Sequence, residues 1–539
     1  PRPPPRPRRR RPQQPRRQPG EPVLMDRQIR RLGLALVLLF VVLFLQLNNL
    51  QVLQASKLSN ASGNIRNTLD NFSRPRGVIQ TADGVVVARS TPTNDFYKFQ
   101  RQYPEGPLFS QITGYFSFVY GSSGVEQTYT SQLAGRSLPL QHLSDLLTTR
   151  TSTQDVTLTI SNQLQQVAAS SLAQHAGSVV VLNPTNGNIL AMYSSPTFDP
   201  NPLASHDQNV QRNAWNLYQL DPNQPMLPRA YRRTYAPGST FKVVTASAAL
   251  DRDPVLATKS YPQESSIPLP QTNLTLSNFG HETCGGTLPD LLKFSCDTGF
   301  GQMGLDLGPD NLSAQATTFG FNKKPPLDIP AVASSFPSAA SFSQNKPGLA
   351  YSAIGQQDVS ATTLQMALVA AGIANGGVIE TPHVMSEIRD NEGRQVQSFG
   401  TKPWQQATSQ STANMVRDDM VGVVNGGTAT NVAIPNVQVA AKTGTAQTST
   451  GSGNNNWLIG FAPADNPKVA VAVVIPAQPG LGSDTTGAQI AGPIFKAVLQ
   501  AALASPQGGG GTPPAQGTPG TTSTSTTTTT TSTTSTTTP

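Results

Sequence analysis

One long apolar run stands near the start of this 539-residue chain, shorter apolar patterns follow, and both ends are polar. Residues 32–47 are apolar apart from Gln46, and with residues 48–53 they reach the roughly 20 residues that a helix needs to cross a bilayer. A cleaved signal peptide is the alternative, because small residues suited to a cleavage site follow Gln54. The length of the run favours an uncleaved transmembrane helix at residues 32–52.

The shorter patterns predict a folded domain built on a sheet. Residues 240–250 are small or apolar almost throughout, which predicts a buried helix just after the turn at Pro237-Gly238. Residues 437–441 alternate and include β-branched side chains, as expected of a strand at a sheet edge. The other predicted elements are a helix at 160–173, a hairpin at 178–194, strands at 457–461 and 468–475 flanking the 437–445 strand in an antiparallel sheet, and a closing helix at 488–502. The predicted fold class is α/β, with helices on both sides of a central antiparallel sheet.

Both ends are predicted to be disordered, for different reasons. Residues 1–31 hold eleven arginines interleaved with prolines, so this tail carries roughly +9, whereas the whole chain carries +8. The remainder is therefore close to neutral, and the basic balance does not indicate nucleic-acid binding by the body of the protein. A basic RNA-binding arm is the alternative interpretation of the tail. Residues 504–539 are dominated by Gly, Pro and Thr, a composition typical of disorder.

Residues 53–155 contain mixed strand and loop patterns without a catalytic constellation. We interpret them as a pedestal that holds the next domain away from the membrane. The arginines before the apolar run predict a cytoplasmic N-terminus and an external remainder. Met25 is an alternative start site. The predicted organisation is a basic tail at 1–31, a transmembrane helix at 32–52, the pedestal at 53–155, a catalytic domain at 156–503 and a disordered tail at 504–539.

Ser239 and Lys242 form the first of three motifs whose order suggests covalent catalysis. Positions three apart share a helix face, so the Lys242 amine can lie beside the Ser239 hydroxyl. Such a hydroxyl needs a base, and burial would lower the pKa of the lysine and favour its neutral form. A second S-x-x-K, at Ser343, is followed by Pro347, which disfavours a helix there. A Ser-His-Asp triad stays open, although no histidine stands near Ser239 in sequence.

The second motif is Ser295-Cys296-Asp297 and the third is Lys442-Thr443-Gly444-Thr445. The lysine and the two threonine hydroxyls suit a substrate carboxylate, and Gly444 would let a substrate backbone approach closely. The backbone N–H groups of Thr445 and Ser239 are candidates for an oxyanion hole. Alone, S-x-x-K more often marks an ordinary helix, and K-T-G a strand end. The ordered trio instead predicts a serine acyltransferase that uses lysine as its base.

At these motifs the chain resembles the penicillin-binding proteins and serine β-lactamases. The resemblance covers roughly residues 76–502. The chain is most similar to the class B penicillin-binding proteins, and within that class to the actinobacterial penicillin-binding protein A group. Segments that carry it, besides the three motifs, are Arg76-Gly77-Val78-Ile79, Asp83-Gly84, Gly124-Val125-Glu126, Ala353-Ile354-Gly355-Gln356 and residues 457–463. It implies a penicillin-binding transpeptidase domain preceded by a dimerisation-like pedestal.

What the resemblance implies is a membrane-anchored D,D-transpeptidase that needs no cofactor. Ser239 would attack the D-Ala-D-Ala end of a peptidoglycan stem peptide, and an amine on a neighbouring stem would take the acyl group. β-Lactam antibiotics would acylate the same serine, and a SEDS-family glycosyltransferase would be a partner. The rivals are a D,D-carboxypeptidase or β-lactamase, and a catalytically impaired scaffold for wall or division proteins.

Asp297 departs from the family pattern, which usually has asparagine at this position. An aspartate lacks the amide donor, and its charge near Lys242 would favour the ammonium form of that lysine. Three outcomes are open: a protonated Asp297, a proton shuttled through Ser295, or reduced activity.

Cys284 and Cys296 are the only cysteines in the chain. In an exported protein they can pair, and such a disulfide would brace the second motif, whereas two free buried thiols are the alternative. Two cysteines without further ligands argue against structural zinc, and we predict no metal site.

Overall fold

The computed structural model describes residues 25–50, 72–134, 153–448 and 453–505. Most of the basic tail, the start of the pedestal and the C-terminal tail beyond residue 505 therefore lie outside the described residues. The chain divides into two compact units, residues 1–71 and residues 72–539.

Helix α1 (Met25–Asn48) is the described part of the first unit. Its apolar side chains are exposed along its length, and it is long and apolar enough to cross a membrane. The helix begins before the predicted residue 32, because the arginines that precede the apolar run are good helix formers and continue the helical hydrogen bonding.

The second unit alternates helices and strands. Its described helices are α2 (Gly106–Thr113), α3 (Gly124–Thr128), α4 (Thr130–Leu133), α5 (Asn162–Leu172), α6 (Gln208–Leu220), α7 (Arg229–Arg232), α8 (Lys242–Arg252), α9 (Pro254–Thr258), α10 (Leu288–Phe294), α11 (Asp297–Thr318), α12 (Lys346–Ala353), α13 (Thr363–Ala374), α14 (Gln410–Gly426) and α15 (Gly487–Ala504). Short 3-10 turns occur at Pro202–Ala204, Gly238–Phe241, Phe279–His281, Ala339–Phe342 and Thr430–Val432. Its described strands are β1 (Ile79–Gln80), β2 (Val86–Pro92), β3 (Phe99–Gln102), β4 (Phe116–Ser117), β5 (Gly121–Ser122), β6 (Gln154–Leu158), β7 (Gly177–Leu182), β8 (Ile189–Ser195), β9 (Tyr261–Glu264), β10 (Ser266–Pro268), β11 (Thr275–Ser277), β12 (Cys284–Gly286), β13 (Val378–Glu380), β14 (Met385–Asp390), β15 (Gln395–Ser398), β16 (Pro403–Gln406), β17 (Ala440–Gln447), β18 (Asn454–Ala462) and β19 (Val469–Ile475).

A five-stranded antiparallel sheet forms the centre of the second unit, in the order β17-β18-β19-β7-β8. Every residue of β7, β18 and β19 is buried, so both faces of the sheet are covered. Helices α5 and α15 pack on each other and on the strands, and α13 and α14 form a second group of helices against the sheet. The predicted α/β class, with helices on both sides of an antiparallel sheet, is confirmed.

The edge position predicted for the strand that carries Lys442 is confirmed, since β17 pairs with β18 and with no other described strand. The prediction that two strands flank it is wrong. Strand β19 pairs with β18 and β7 instead. The order of strands depends on contacts between distant parts of the chain, which local alternation does not report.

A second sheet has six strands in the order β15-β14-β6-β1-β2-β3. Strands β1 to β3 come from the predicted pedestal, whereas β14 and β15 come from residues 385–398, far along the chain. The boundary that we placed after residue 155 falls inside β6, which pairs with both groups. Shared strands of this kind join the two parts of the unit into one hydrogen-bonded layer.

Glu126 lies at the centre of a buried charged cluster in the pedestal. Its carboxylate accepts hydrogen bonds from the Nε atoms of Arg76 and Arg101, at 3.0 and 2.6 Å, and all three side chains are almost fully buried. Arg101 also donates to the Gly77 carbonyl at 2.8 Å. Burial alone would raise the Glu126 pKa, but the two guanidinium groups outweigh it and lower that pKa. The cluster therefore ties β3 and α3 to the segment before β1.

Candidate active site

Ser239 lies in the 3-10 turn Gly238–Phe241, immediately before α8. The turn is anchored on both sides: the Gly238 N–H donates to the Gly355 carbonyl at 2.9 Å, and the Trp457 indole donates to the Ala236 carbonyl at 2.9 Å. The Ser239 side chain lines a cleft of about 1350 Å³ and makes no hydrogen bond with any described residue. An anchored backbone thus presents an unoccupied hydroxyl to the cleft.

Lys242 is fully buried one turn further on, at the start of α8. Its Nζ donates to the Ser295 carbonyl at 2.6 Å, to Asp297 Oδ1 at 2.6 Å and to Ser295 Oγ at 3.3 Å. An ammonium group has three N–H bonds, and here each has an acceptor. Lys242 lies three residues after Ser239, at the start of the helix that follows the turn. The hydrogen bonds of its amine go to the second motif, not to the Ser239 hydroxyl.

The charge state of Lys242 depends on two opposing effects. Burial lowers its pKa, while the ion pair with Asp297 raises it, and the net pKa is below the usual range. Asp297 retains 16% side-chain exposure at the cleft. The predicted lowering of the Lys242 pKa by burial and the predicted opposition from Asp297 therefore both occur.

Ser295 sits between the two motif lysines because of an unusual backbone conformation. It caps α10 with φ 60° and ψ 40°, a left-handed conformation that is uncommon for a residue with a side chain. This turn directs its carbonyl towards Lys242 and its hydroxyl towards Lys442, whose Nζ donates to Ser295 Oγ at 2.7 Å. Two donors reach the Ser295 oxygen, and its own hydrogen remains for a partner in the cleft.

Lys442 is also fully buried, in strand β17. Burial lowers its pKa well below the usual value, and the neighbouring Lys242 lowers it further, while Asp297 opposes both effects. Its second contact is with its neighbour, the Thr443 carbonyl, at 3.1 Å. One carboxylate therefore acts on two buried lysines, and it raises the pKa of each against the effect of burial.

Gly444 follows in β17 and has a packing reason that the sequence analysis did not identify. A Cβ at this position would lie 2.8 Å from the Pro237 carbonyl oxygen and 2.8 Å from the Thr240 methyl group. The glycine therefore permits the close approach of the Ser239-bearing turn, and the predicted approach of a substrate backbone stays a prediction. This contact sets the distance between the first and third motifs.

The two threonine hydroxyls of the third motif both face the cleft and have partners in the protein. Thr443 Oγ1 lies 2.7 Å from Thr428 Oγ1, and Thr445 Oγ1 accepts a hydrogen bond from the Gly487 N–H at 3.2 Å. Because the Thr445 oxygen is the acceptor in this bond, its hydroxyl hydrogen can donate into the cleft. Of the predicted site residues, Ser239, Ser295, Asp297, Thr443 and Thr445 thus line one cleft, whereas Lys242 and Lys442 are fully buried.

Cys284 and Cys296 form a disulfide in the structure. Cys296 is completely buried at the start of α11, whereas Cys284 lies in β12 and lines the cleft. The bond joins the loop before α10 to the residue between Ser295 and Asp297. Of the two alternatives weighed above, the structure has the paired state.

Contacts from other parts of the chain complete the site and were not predicted. Asn278 accepts from the Thr298 N–H at 2.9 Å and donates to the carbonyls of Glu264 and Glu282, which fixes the cleft loop beside Asp297. Thr428 joins the segment before the second motif to the third motif. No motif marks these residues, and only their spatial neighbours identify them. Among the described residues, no cluster of His, Cys, Asp or Glu is suited to a metal ion.

The second S-x-x-K, at Ser343 and Lys346, lies away from this cleft. Ser343 is outside any α-helix and donates to the Ala340 carbonyl, while Lys346 begins α12. Pro347 occupies the first turn of that helix, where a proline is tolerated, and because the helix begins only at Lys346, Ser343 and Lys346 do not share a helical turn, as predicted. Neither residue lines the Ser239 cleft.

Comparisons with known proteins agree with this geometry. The family model of the penicillin binding protein transpeptidase domain matches residues 177–500, and that of the penicillin binding protein A dimerisation domain matches residues 76–155. The peptidoglycan D,D-transpeptidase PbpA of Mycolicibacterium smegmatis is 37% identical over 496 residues, 89% of this chain and 99% of the relative.

Two solved structures of penicillin-binding protein A from Mycobacterium tuberculosis, acyl-enzyme complexes with ceftriaxone and with penicillin G, are each 35% identical to this chain. Their TM-scores are 0.76 and 0.74, and the matches cover 81% and 80% of this chain and all of each solved chain. The M. tuberculosis PbpA sequence is 36% identical over 501 residues. This chain therefore belongs to the class B penicillin-binding proteins, with a transpeptidase domain and a dimerisation domain.

Proposed function

We propose that this protein is a peptidoglycan D,D-transpeptidase in which Ser239 is the acylated nucleophile. The observation that carries the proposal is the open Ser239 hydroxyl in a cleft that Ser295 also lines, with Ser295 Oγ accepting from the buried Lys242 and Lys442. Relatives named peptidoglycan D,D-transpeptidase, and acyl-enzyme structures of similar proteins with β-lactams, support it. The chemistry is acyl transfer through a serine ester.

In the first step, Ser239 Oγ bonds to the carbonyl carbon of the penultimate D-Ala of a stem peptide. The negative charge that forms on the carbonyl oxygen is stabilised by the backbone N–H groups of Ser239 and Thr445. The C–N bond to the terminal D-Ala then breaks, and the proton taken from Ser239 goes to the departing amine. In the second step, an amine of a neighbouring stem attacks the ester, and Ser239 recovers its proton.

The proton path follows from the hydrogen bonds of the cluster. Asp297 holds Lys242 as an ammonium, whose three N–H bonds are all directed at Ser295 and Asp297. Lys442 is then the neutral amine: the Ser295 oxygen takes the proton of Ser239, while the Ser295 hydroxyl hydrogen turns from the cleft and passes to the lone pair of the Lys442 nitrogen. This is the second of the three outcomes left open for Asp297. Lys242 contributes by fixing Ser295 and by its positive charge near the developing oxyanion.

The third motif holds the carboxylate at the end of the substrate. Thr443 and Thr445 present hydroxyl groups to the cleft, and the charge of the buried lysine cluster lies behind them. A β-lactam has a carboxylate at the corresponding distance from its reactive carbonyl, so it acylates Ser239 and leaves a long-lived ester.

Helix α1 anchors the enzyme in the membrane, with residues 1–31 in the cytoplasm and the pedestal and catalytic domain outside. The excess of arginine before the apolar run supports this orientation. A SEDS-family glycosyltransferase is the proposed partner, contacted through the anchor and the pedestal. The proposed domain limits are those derived from the sequence, with the pedestal at 53–155 and the catalytic domain at 156–503.

The test is labelling of the purified full-length protein in detergent with a fluorescent penicillin, beside Ser239→Ala, with the intact mass followed for hours. A stable adduct in the parent protein and none in the variant is the expected result. Rapid loss of the adduct would indicate a hydrolase of the carboxypeptidase or β-lactamase type. A folded protein that takes no label would indicate a scaffold and would overturn the proposal. Transpeptidation is then measured with lipid-linked wall precursors.

A further inference from the structure

Thr428 is in neither the second nor the third motif, yet it contacts the third motif and the segment just before the second. It follows helix α14 through Gly426-Gly427, and its backbone N–H donates to the Lys293 carbonyl at 3.3 Å. Lys293 is two residues before Ser295 in the last turn of α10. On its other side, the Thr428 hydroxyl lies 2.7 Å from the hydroxyl of Thr443. The residue thus joins the segment before Ser295 to strand β17.

The glycine before Thr428 makes this approach feasible. A Cβ on Gly427 would lie 2.3 Å from the Lys293 carbonyl oxygen, which is closer than non-bonded atoms come. The Gly427 N–H donates to the Val423 carbonyl at 3.1 Å, and the Ala429 N–H donates to the same oxygen at 3.1 Å. The turn is therefore held by the end of α14 while it packs against α10, and Thr428 has little freedom to move.

Counting hydrogens shows what the pair of hydroxyls does. Thr428 and Thr443 together have two hydroxyl hydrogens, and one of them is used in the bond between the two oxygens. The other remains to donate, and both residues line the Ser239 cleft. Whichever oxygen donates inside the pair, the pair offers one hydrogen to an acceptor in the cleft. An anion such as a carboxylate draws that hydrogen and polarises the second hydroxyl behind it.

We propose that Thr428 is a positioning residue for recognition of the substrate's terminal carboxylate, acting by fixing and polarising the Thr443 hydroxyl. The inference rests on the proposed function and deepens it, because it adds a residue outside the three motifs to the carboxylate site. The carboxylate site then has two hydroxyl donors on β17. Thr443 is held by Thr428 in the turn after α14, and Thr445 is held by the Gly487 N–H at the start of α15. Recognition of the carboxylate therefore depends on the placement of α14.

The test compares penicillin G with its carboxamide, in which the carboxylate is replaced, on the full-length protein. The second-order acylation rate constant is measured by intact mass for both compounds, and their ratio is the readout. Thr428→Val keeps the shape but removes the hydroxyl, and it should lower the preference for the carboxylate on the order of tenfold, as expected for one hydrogen bond to a charged group. Thr428→Ser should retain the preference within about twofold.

Thr430→Val is the matched control, since Thr430 is exposed two residues further on, and its side chain has no hydrogen bond among the described residues. It should leave the ratio unchanged. Thr443→Val should lower the ratio, and the double variant with Thr428→Val should lower it little further, because the two hydroxyls act as one unit. If Thr428→Val fails to unfold cooperatively, Thr428→Ala takes its place.

An equal loss of rate for both compounds in Thr428→Val would show a merely structural role and overturn the inference. An unchanged ratio would do the same. Additive losses in the double variant would also contradict it. A parent protein that is not acylated at Ser239 would instead overturn the proposed function, so the two failures are distinguishable.

Discussion

Lys242 and Asp297 form an ion pair of 2.6 Å at the floor of the cleft, with the lysine completely buried and the aspartate partly exposed. The family usually has a neutral asparagine at this position. The pKa of Lys442 also depends on this aspartate, because Lys442 is buried too and the charge of Asp297 raises its pKa. The protonation of the cluster is therefore coupled among Lys242, Asp297 and Lys442.

Asp297→Asn should preserve or raise the rate of acylation by penicillin. The amide oxygen can still accept from Lys242, while loss of the negative charge favours neutral lysine. A loss of tenfold or more, about 1.4 kcal/mol, would contradict this expectation. The measurement is the rate of fluorescent penicillin labelling at saturating and at limiting concentrations.

The pH dependence of the same variant has a definite sign. Asp297 raises the pKa of both Lys242 and Lys442, so its neutralisation lowers both values. Acylation needs a neutral amine, so its rate rises with pH through the pKa of the cluster. The rising limb should therefore move to lower pH in Asp297→Asn, as measured by acylation rates across a pH series. A shift to higher pH would contradict the proposed role of the ion pair.

Gly444→Ala should impair acylation although it adds one methyl group. That group would meet the Pro237 carbonyl and the Thr240 methyl at 2.8 Å, so the Ser239 turn and β17 must separate. Overpacking of this kind costs about 1–3 kcal/mol of stability, and a shifted nucleophile loses rate as well. Chemical denaturation and penicillin labelling measure the two effects. The matched control is Gly400→Ala, where a Cβ has open space and both properties should stay unchanged.

Glu126→Gln should destabilise the pedestal by about 3–5 kcal/mol, because it leaves two buried guanidinium groups without their carboxylate. The folded-state pKa of Glu126 is lowered, so its contribution is present above the unfolded pKa of about 4.3 and is lost as pH falls through the folded pKa. Denaturation of parent and variant at several acid pH values checks both statements. An equal slope with pH in the two proteins would contradict the second.

Removal of the disulfide by a double substitution, Cys284→Ser with Cys296→Ser, should lower the free energy of unfolding by about 2–4 kcal/mol. The buried Cys296 position adds the cost of a hydroxyl without a partner. Denaturation with and without reductant measures the effect. The parent protein under reducing conditions should approach the stability of the double variant, which has no cysteine to reduce. A parent protein whose stability does not change with reductant would indicate unpaired thiols.

The sequence was most informative where structure and chemistry are local. Ser239 and Lys242 are three residues apart, so one helix turn brought the nucleophile and the lysine together in the prediction. The opposition between Asp297 and Lys242 was also foreseeable, because it follows from charge alone. For the catalytic domain, the main error was in the predicted order of the strands. Strand β19 was placed beside β17 but pairs with β18 and β7, because contacts between distant segments decide the order.

Other features lay beyond such reasoning for a physical reason. The left-handed conformation of Ser295, which places it between two lysines, depends on how α10 and α11 meet. Arg76, Arg101 and Glu126 are ordinary charged residues until the fold buries them together. Thr428 is one of many threonines, and only its distance from Thr443 distinguishes it.

Strand β17 is the outermost strand of its sheet among the described residues, and under the proposed function a stem peptide that pairs with its edge would be discriminated in a particular way. Backbone N–H and C=O groups are alike in every residue, so pairing along such an edge reports the direction and extension of a bound peptide but little of its side-chain identity. Any chain that is extended and ends in a carboxylate meets the same main-chain partners. Tolerance along the body of the peptide and strictness at its end are then two results of one architecture.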